Sequence, residues 1–256
     1  MSKPKRKRES RRVIFPENGM TNFSVQEAFN AVRTNLQFAV SKKGCRRVIV
    51  TSALPYEGKT TCCAYLAVAL SQMKAKTLVI DCDMRKPTMH KLFSHWSIPG
   101  LSDVLGGMFE LEEALQETQY ENLHAIFSGT IPPNPGELLG SAAMAELIEK
   151  LSEEYDYILM DTPPVNVVSD AIALSPAADG IMLVAWSGHS THPEMAQALS
   201  SIEFANAKVL GVVLNGVEPS KGSGYKNYRY GKYGKYGKYG GYYSSNYYSK
   251  SSNSEK

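Results

Sequence analysis

Val48-Ile49-Val50-Thr51 runs through Ser52 into Ala53-Leu54-Pro55-Tyr56-Glu57-Gly58-Lys59-Thr60-Thr61, and this stretch decides the fold. Four β-branched residues in a row read as a short buried strand. The Pro- and Gly-bearing loop after them opens a helical run from Lys59 to about Met73. Strand, loop with Gly-Lys-Thr, then helix is the context of a phosphate loop, here with Ala53 in place of the usual first glycine. Backbone N–H groups of Ala53–Thr61 and the helix N-terminus would surround the β- and γ-phosphates of a nucleotide. Lys59 would neutralise their charge, and the Thr60 hydroxyl would reach a magnesium ion.

Outward from this loop the same strand type recurs. Leu78-Val79-Ile80, Ile158-Leu159-Met160, Ile181–Ala185 and Val209–Leu214 are short apolar runs separated by helix-length stretches. Strands alternating with helices imply an α/β fold: a mostly parallel sheet covered on both faces, a P-loop NTPase architecture. Before the loop, residues 24–40 read as a helix capped by Ser24, with Ala28, Val32, Leu36 and Val40 at i+4 spacing.

Two more strand ends carry chemistry. Asp81 and Asp83 in Ile80-Asp81-Cys82-Asp83-Met84-Arg85-Lys86-Pro87 close the second strand at its carboxyl edge, where open α/β sheets place ligands. Strand alternation would send both carboxylates toward magnesium and phosphate, where they could order the metal and accept a hydroxyl proton. The same pair could simply cap a turn, with Arg85 neutralising it. Asp161 in Tyr157-Ile158-Leu159-Met160-Asp161-Thr162-Pro163-Pro164 closes another apolar strand, where a phosphate-loop protein holds magnesium.

Composition bounds the rest. With 256 residues and 43% apolar content, the chain can bury one good-sized core. Cys45, Cys62, Cys63 and Cys82 fit neither a zinc pattern nor a secreted disulfide framework, so reduced thiols are expected. Apolar runs such as Ile181–Trp186 fall far short of the roughly 20 residues of a membrane helix, and no secretory signal is legible, so a soluble chain is expected.

The net charge of +3 conceals a segregation. Residues 1–12 carry seven Lys/Arg and one Glu; residues 221–256 carry eight Lys/Arg and one Glu. The intervening 13–220 hold 13 basic and 23 acidic residues, a net −10 between two basic ends. Such ends suit an anionic surface: nucleic acid, lipid headgroups or the acidic body of a neighbouring subunit. The expected organisation is a basic disordered segment over 1–23, a catalytic domain over 24–220 and a disordered Tyr/Gly/Lys-rich tail over 221–256.

That tail holds ten of the fifteen tyrosines: Tyr225, Tyr228, Tyr230, Tyr233, Tyr236, Tyr239, Tyr242, Tyr243, Tyr247 and Tyr248. They could stack on nucleobases, or they could be accessible acceptor hydroxyls. Stacking would be served as well by Phe, and none follows Phe204. The hydroxyl is favoured.

Taken together, Ala53–Thr61, Asp81-Cys82-Asp83-Met84-Arg85-Lys86-Pro87, Asp161-Thr162-Pro163-Pro164-Val165, Pro132-Pro133-Asn134-Pro135-Gly136-Glu137-Leu138-Leu139 and the tyrosine cluster resemble the bacterial tyrosine kinases that accompany capsule and exopolysaccharide export. The resemblance spans roughly residues 24–248. It implies an ATP- and Mg2+-dependent protein-tyrosine kinase that autophosphorylates its tail, in trans, and regulates polysaccharide synthesis and export. Lys59 would bind phosphate, Thr60 and Asp161 would serve magnesium with Asp81 beside them, and Asp81 would accept the tyrosine proton with Asp83 in support. The family works with a membrane-embedded activator, which implies a cytoplasmic chain peripheral to the inner face of the membrane, and with a phosphotyrosine phosphatase. Its E-x-x-R-x-x-R assembly helix would map Glu27 and Arg33 to subunit contacts in a ring, although Asn30 stands where the first Arg belongs. Tyr56 stands where the family usually has Gly, and could strain the loop or lie over the nucleotide.

Two other functions compete. Positioning or partitioning ATPases share the fold but usually carry a lysine directly after the first loop residue, a place held here by Leu54. A nucleic-acid-binding ATPase would work through the basic ends, with strongly salt-dependent binding; no specific nucleic acid is expected as a partner. Asn215 is a candidate nucleobase contact, or else a turn cap.

Overall fold

The computed structural model describes residues 23–217. Residues 1–22 and 218–256, which hold the expected basic and tyrosine-rich segments, lie outside the described residues. The elements run α1 Phe23–Ala39, β1 Arg46–Ser52, α2 Lys59–Ser71, β2 Thr77–Asp81, α3 Met89–Leu92, α4 Leu101–Leu105, α5 Leu111–Ala114 and β3 Leu115–Glu117. They continue with β4 Leu123–Ile126, α6 Pro135–Leu139, α7 Ala142–Ser152, β5 Tyr157–Asp161, α8 Asp170–Leu174, β6 Gly180–Trp186, α9 His192–Phe204 and β7 Val209–Asn215.

Their strands form one sheet in the order β3-β4-β2-β5-β1-β6-β7. Every pairing is parallel except the antiparallel edge pair β3–β4. Pleat alternation divides each apolar run between two cores. Ile49, Leu78, Ile80, Ile158 and Met160 face one layer with Ile148 of α7 and Ile202 of α9. Val48, Val50, Val79 and Leu159 face the other with Leu36 of α1 and Leu66 and Leu70 of α2. Burying a side chain such as Leu66 or Leu70 contributes about 2 kcal/mol.

The α1 helix begins at Phe23, so Ser24 sits in its first turn rather than before it. Its packing stripe also differs from the expected one: Ala28 is exposed and Phe29 stacks on Tyr65, with ring centroids 5.1 Å apart. An alanine at a contact position buries too little area to hold the helix when a phenylalanine lies one residue on. Among the described residues, no helix is long and apolar enough to cross a membrane.

The chain leaves β1 for strands on one side of it (β2, β4, β5) and later crosses to β6 and β7 on the other. Open α/β sheets open a ligand crevice at such a reversal, beyond the carboxyl ends of the strands. The loop after β1 lies there.

Candidate active site

Residues 53–58 fold as a loop that the protein holds from outside. Glu57 is fully buried, and its carboxylate accepts the Leu54 N–H at 2.8 Å and the Trp186 N–H at 3.3 Å. Its carbonyl accepts Asn215 Nδ2 at 3.1 Å, and the Pro55 carbonyl lies 3.2 Å from His189 Nε2. Glu57 therefore pins the loop to the ends of β6 and β7 and offers no side-chain atom to a nucleotide. Asn215, read from sequence as a base contact or a turn cap, ties β7 to the loop, and its Oδ1 accepts the Gly216 N–H at 2.9 Å.

Gly58 precedes α2 at φ +81°, and a Cβ there would collide with Asn215 Nδ2. Left-handed backbone and a steric stop together require glycine. Gly58→Ala is expected to cost about 2 kcal/mol of stability and to weaken nucleotide binding at least tenfold, because the Glu57–Asn215 bond must open. Thermal melts and a fluorescent-nucleotide titration check both effects. Tyr56 is also left-handed, at φ +66°, and its side chain is 90% exposed. The ring lies in solvent.

Lys59 opens α2 and meets two carboxylates and a hydroxyl. Its Nζ lies 2.8 Å from Asp83 Oδ2, 3.6 Å from Asp161 Oδ1 and 3.3 Å from Thr60 Oγ1. Burial alone would lower the ammonium pKa, but Asp161, Asp83 and Asp81 outweigh it and raise it. Lys59 is charged at any physiological pH.

Parallel register puts Asp81, the last residue of β2, directly beside Asp161, the last of β5. Both are fully buried. Asp81 accepts the N–H groups of Asp83 and Met89, each at 3.2 Å. Burial, reinforced by Asp161, raises its pKa well above the ordinary carboxyl value. Asp161 is pushed up to about 6 by burial, with Lys59 and the Thr60 hydroxyl pulling the other way. Neither Asp161 oxygen has a hydrogen-bond partner among the described residues. Asp83 lies beyond the strand end rather than on it, so its approach to Lys59 comes from the following turn, where its Oδ1 accepts the Lys86 N–H at 3.0 Å.

Arg85 anchors that turn from the other side. Its Nε and Nη2 each lie 2.9 Å from the two carboxylate oxygens of buried Asp170, at the start of α8. The turn-cap alternative for the Asp pair would have Arg85 neutralise it; the structure pairs Arg85 with Asp170, a partner 85 residues away that no local pattern signals. Asp170 is a site-shaping carboxylate that sequence reasoning missed; Glu57, read from sequence as one of the phosphate-loop residues, shapes the loop through its buried side chain. The Asp-Thr-Pro-Pro-Val segment is stitched to β1: Thr51 Oγ1 donates to the Pro163 carbonyl at 2.8 Å and Val165 N–H to Ser52 at 2.9 Å.

The donor set fits a divalent cation. Three carboxylates stand against one ammonium, and neither oxygen of buried Asp161 accepts a hydrogen bond among the described residues. Among the described residues, no group of three or more His, Cys, Asp or Glu could hold a metal alone. Nucleotide phosphates would complete the shell, as is usual for magnesium. Burial raises the Cys62 thiol to about 12 and those of Cys63 and Cys82 well above normal, so none is a thiolate nucleophile.

The α1 helix, where the sequence places Glu27 and Arg33 as expected subunit contacts, uses both residues inside its own chain. Glu27 Oε1 accepts Asn30 Nδ2 at 3.0 Å, and Arg33 Nη1 donates to the Ala69 carbonyl at 2.7 Å, satisfying a free carbonyl in the last turn of α2.

Residues 57–209 match the AAA domain family. The chain is 41% identical to tyrosine-protein kinase YwqD of Bacillus subtilis, over 79% of this chain and 85% of that protein. It superposes on the kinase domain of Escherichia coli tyrosine kinase ETK with a TM-score of 0.74 and 35% identity, covering 78% of each. It also resembles the septum site-determining protein MinD of Pyrococcus horikoshii complexed with Mg-ADP, at TM-score 0.57 and 27% identity, over 66% of this chain and 70% of that one.

Proposed function

The chain belongs to the bacterial protein-tyrosine kinases, and from that membership we propose that it transfers phosphate from ATP to the tyrosines of its own tail, between subunits. The observation that carries the reading is the Lys59–Asp83–Asp161 contact beside Asp81 at the sheet's carboxyl edge. Lys59, freed from its carboxylates, neutralises charge on the transferring phosphoryl group. Asp81, whose pKa burial raises, accepts the phenolic proton, and Asp83 orders the turn that faces it. A magnesium ion held through Thr60 and Asp161 would spread charge over the phosphate oxygens. Glu57, Gly58 and Asn215 hold the loop in place.

Acceptor chemistry is supported by Tyr225–Tyr248, with the basic tail drawn to an acidic body. Regulation of capsular or exopolysaccharide export, a membrane-embedded activator that brings the chain to the inner face of the membrane, ring assembly through Glu27 and Arg33, and a phosphatase that resets the tail belong to the same proposal. They rest on the motif resemblance. The likeness to MinD favours a positioning ATPase as the second reading; Leu54 in the place of its lysine weighs against it.

Mixing distinguishes reaction between subunits from reaction within one. An inactive Lys59→Met chain with its tail intact is incubated with active chain truncated after Gly222, magnesium and ATP. Phosphotyrosine is expected on the inactive chain. None there, at concentrations where subunits associate, would argue for reaction in cis.

A further inference from the structure

We propose that Tyr56 is a second kind of acceptor, phosphorylated in the active site of another copy, and that its phosphate closes the loop to nucleotide. The inference rests on the kinase reading above.

Five tyrosines fall among the described residues. Tyr120, Tyr155 and Tyr157 are buried, at 9%, 4% and 4% exposure, and Tyr65 is half-buried in a stack on Phe29. The Tyr155 hydroxyl is further occupied, 2.6 Å from His124 Nδ1. Only Tyr56, at 90% exposure, presents its phenol to a neighbouring molecule, and among the described residues its hydroxyl makes no hydrogen bond. Its outward aim is built in. Pro55 before it lies against His189, and Glu57 after it is buried and clamped to Leu54 and Trp186. Between those anchors the backbone turns left-handed, at φ +66°. Glycine would adopt that conformation without cost, whereas a tyrosine is held there only because its surroundings over-determine it. The fold thus keeps this phenol outside the loop, on a left-handed backbone.

The transfer balances with a nucleoside triphosphate as co-reactant. The Tyr56 oxygen bonds to the γ-phosphorus of a triphosphate held by a second copy. The bond from that phosphorus to the β–γ bridging oxygen breaks, and its electron pair leaves on the diphosphate. The phenolic proton passes to Asp81 of the second copy. The product carries about −1.5 to −2 charges near neutral pH. It sits three residues from Lys59, on the outer side of the loop that must accept the nucleotide's phosphates, next to a site whose carboxylates already outnumber its lysine. The added negative charge beside the loop repels the anionic nucleotide, and nucleotide affinity falls.

Full-length wild-type chain serves as donor and full-length Lys59→Met chain as acceptor, with magnesium and ATP. The substitution removes a tryptic site, so the acceptor's Tyr56 peptide has its own mass. Phosphate on that peptide is expected. An acceptor modified on its tail but not on Tyr56 overturns the proposal and leaves the kinase reading intact. Phosphate confined to the donor overturns transfer between copies. No phosphotyrosine anywhere overturns the kinase reading and this proposal with it. A second arm measures fluorescent-nucleotide affinity before and after incubation with ATP. Phosphorylation should weaken binding tenfold or more in wild type and not in Tyr56→Phe; equal weakening in both would overturn the closure of the loop.

Discussion

Lys59→Met is expected to lower tyrosine phosphorylation by about three orders of magnitude or more. The ammonium is the one cation in contact with Asp83 and Asp161 among the described residues, and it stands where phosphoryl charge must be met. The same substitution should destabilise the nucleotide-free protein by about 3 kcal/mol, because it strands buried carboxylates. That deficit has a pH signature. Asp161 is pushed up to about 6 even with Lys59 present, and further without it, so its folded value lies above its unfolded one. A group of that kind favours the folded state at low pH and loses the benefit as pH rises through its folded pKa. The gap in melting temperature between wild type and variant should therefore narrow from pH 7.5 to pH 5. Melts at the two pH values, beside a phosphotyrosine assay, check both halves.

Asp81→Asn is expected to slow kinase turnover by about two orders of magnitude or more. An amide cannot act as a base, and it can accept at only one of its two heavy atoms. The N–H groups of Asp83 and Met89 both point at this side chain, so one of them would meet an NH2 group. Nucleotide affinity should change much less, since phosphate contacts come from the loop. Asp83→Asn is the matched control: it loosens Lys59 but spares the Asp81 oxygens. If Asp83→Asn is far more damaging than Asp81→Asn in single-turnover phosphorylation, the two carboxylates have the reverse roles.

Much of this site was legible because its parts are contiguous in sequence. The β-branched run Val48–Thr51, the Gly-Lys-Thr turn and the apolar strands ending in Asp81 and Asp161 each announce themselves within about ten residues. Register then does the rest, pairing Asp81 with Asp161 across neighbouring strands. What stayed hidden is non-local or short. Glu57 reads as one more loop residue until Trp186 and Asn215 close on it. Arg85 finds Asp170 far along the chain. β4 spans only Leu123–Ile126 and is interrupted by His124, and antiparallel β3 has three residues, so neither carries a strand-length pattern. The exposure of Ala28 has the same origin: a helical stripe names a face, and the neighbouring helix selects which residue fills it.

The central claim is that this phosphate-loop site moves phosphate onto tyrosine, and one measurement addresses it most directly. Purified full-length chain is incubated with magnesium and ATP, then its intact mass and phosphopeptides are read. Stepwise additions of single phosphoryl groups are expected, mapping to Tyr225–Tyr248 and absent when Lys59 is replaced by Met. ATP consumed to ADP with no phosphate on any tyrosine would contradict the account and identify the chain's chemistry as that of a switch ATPase.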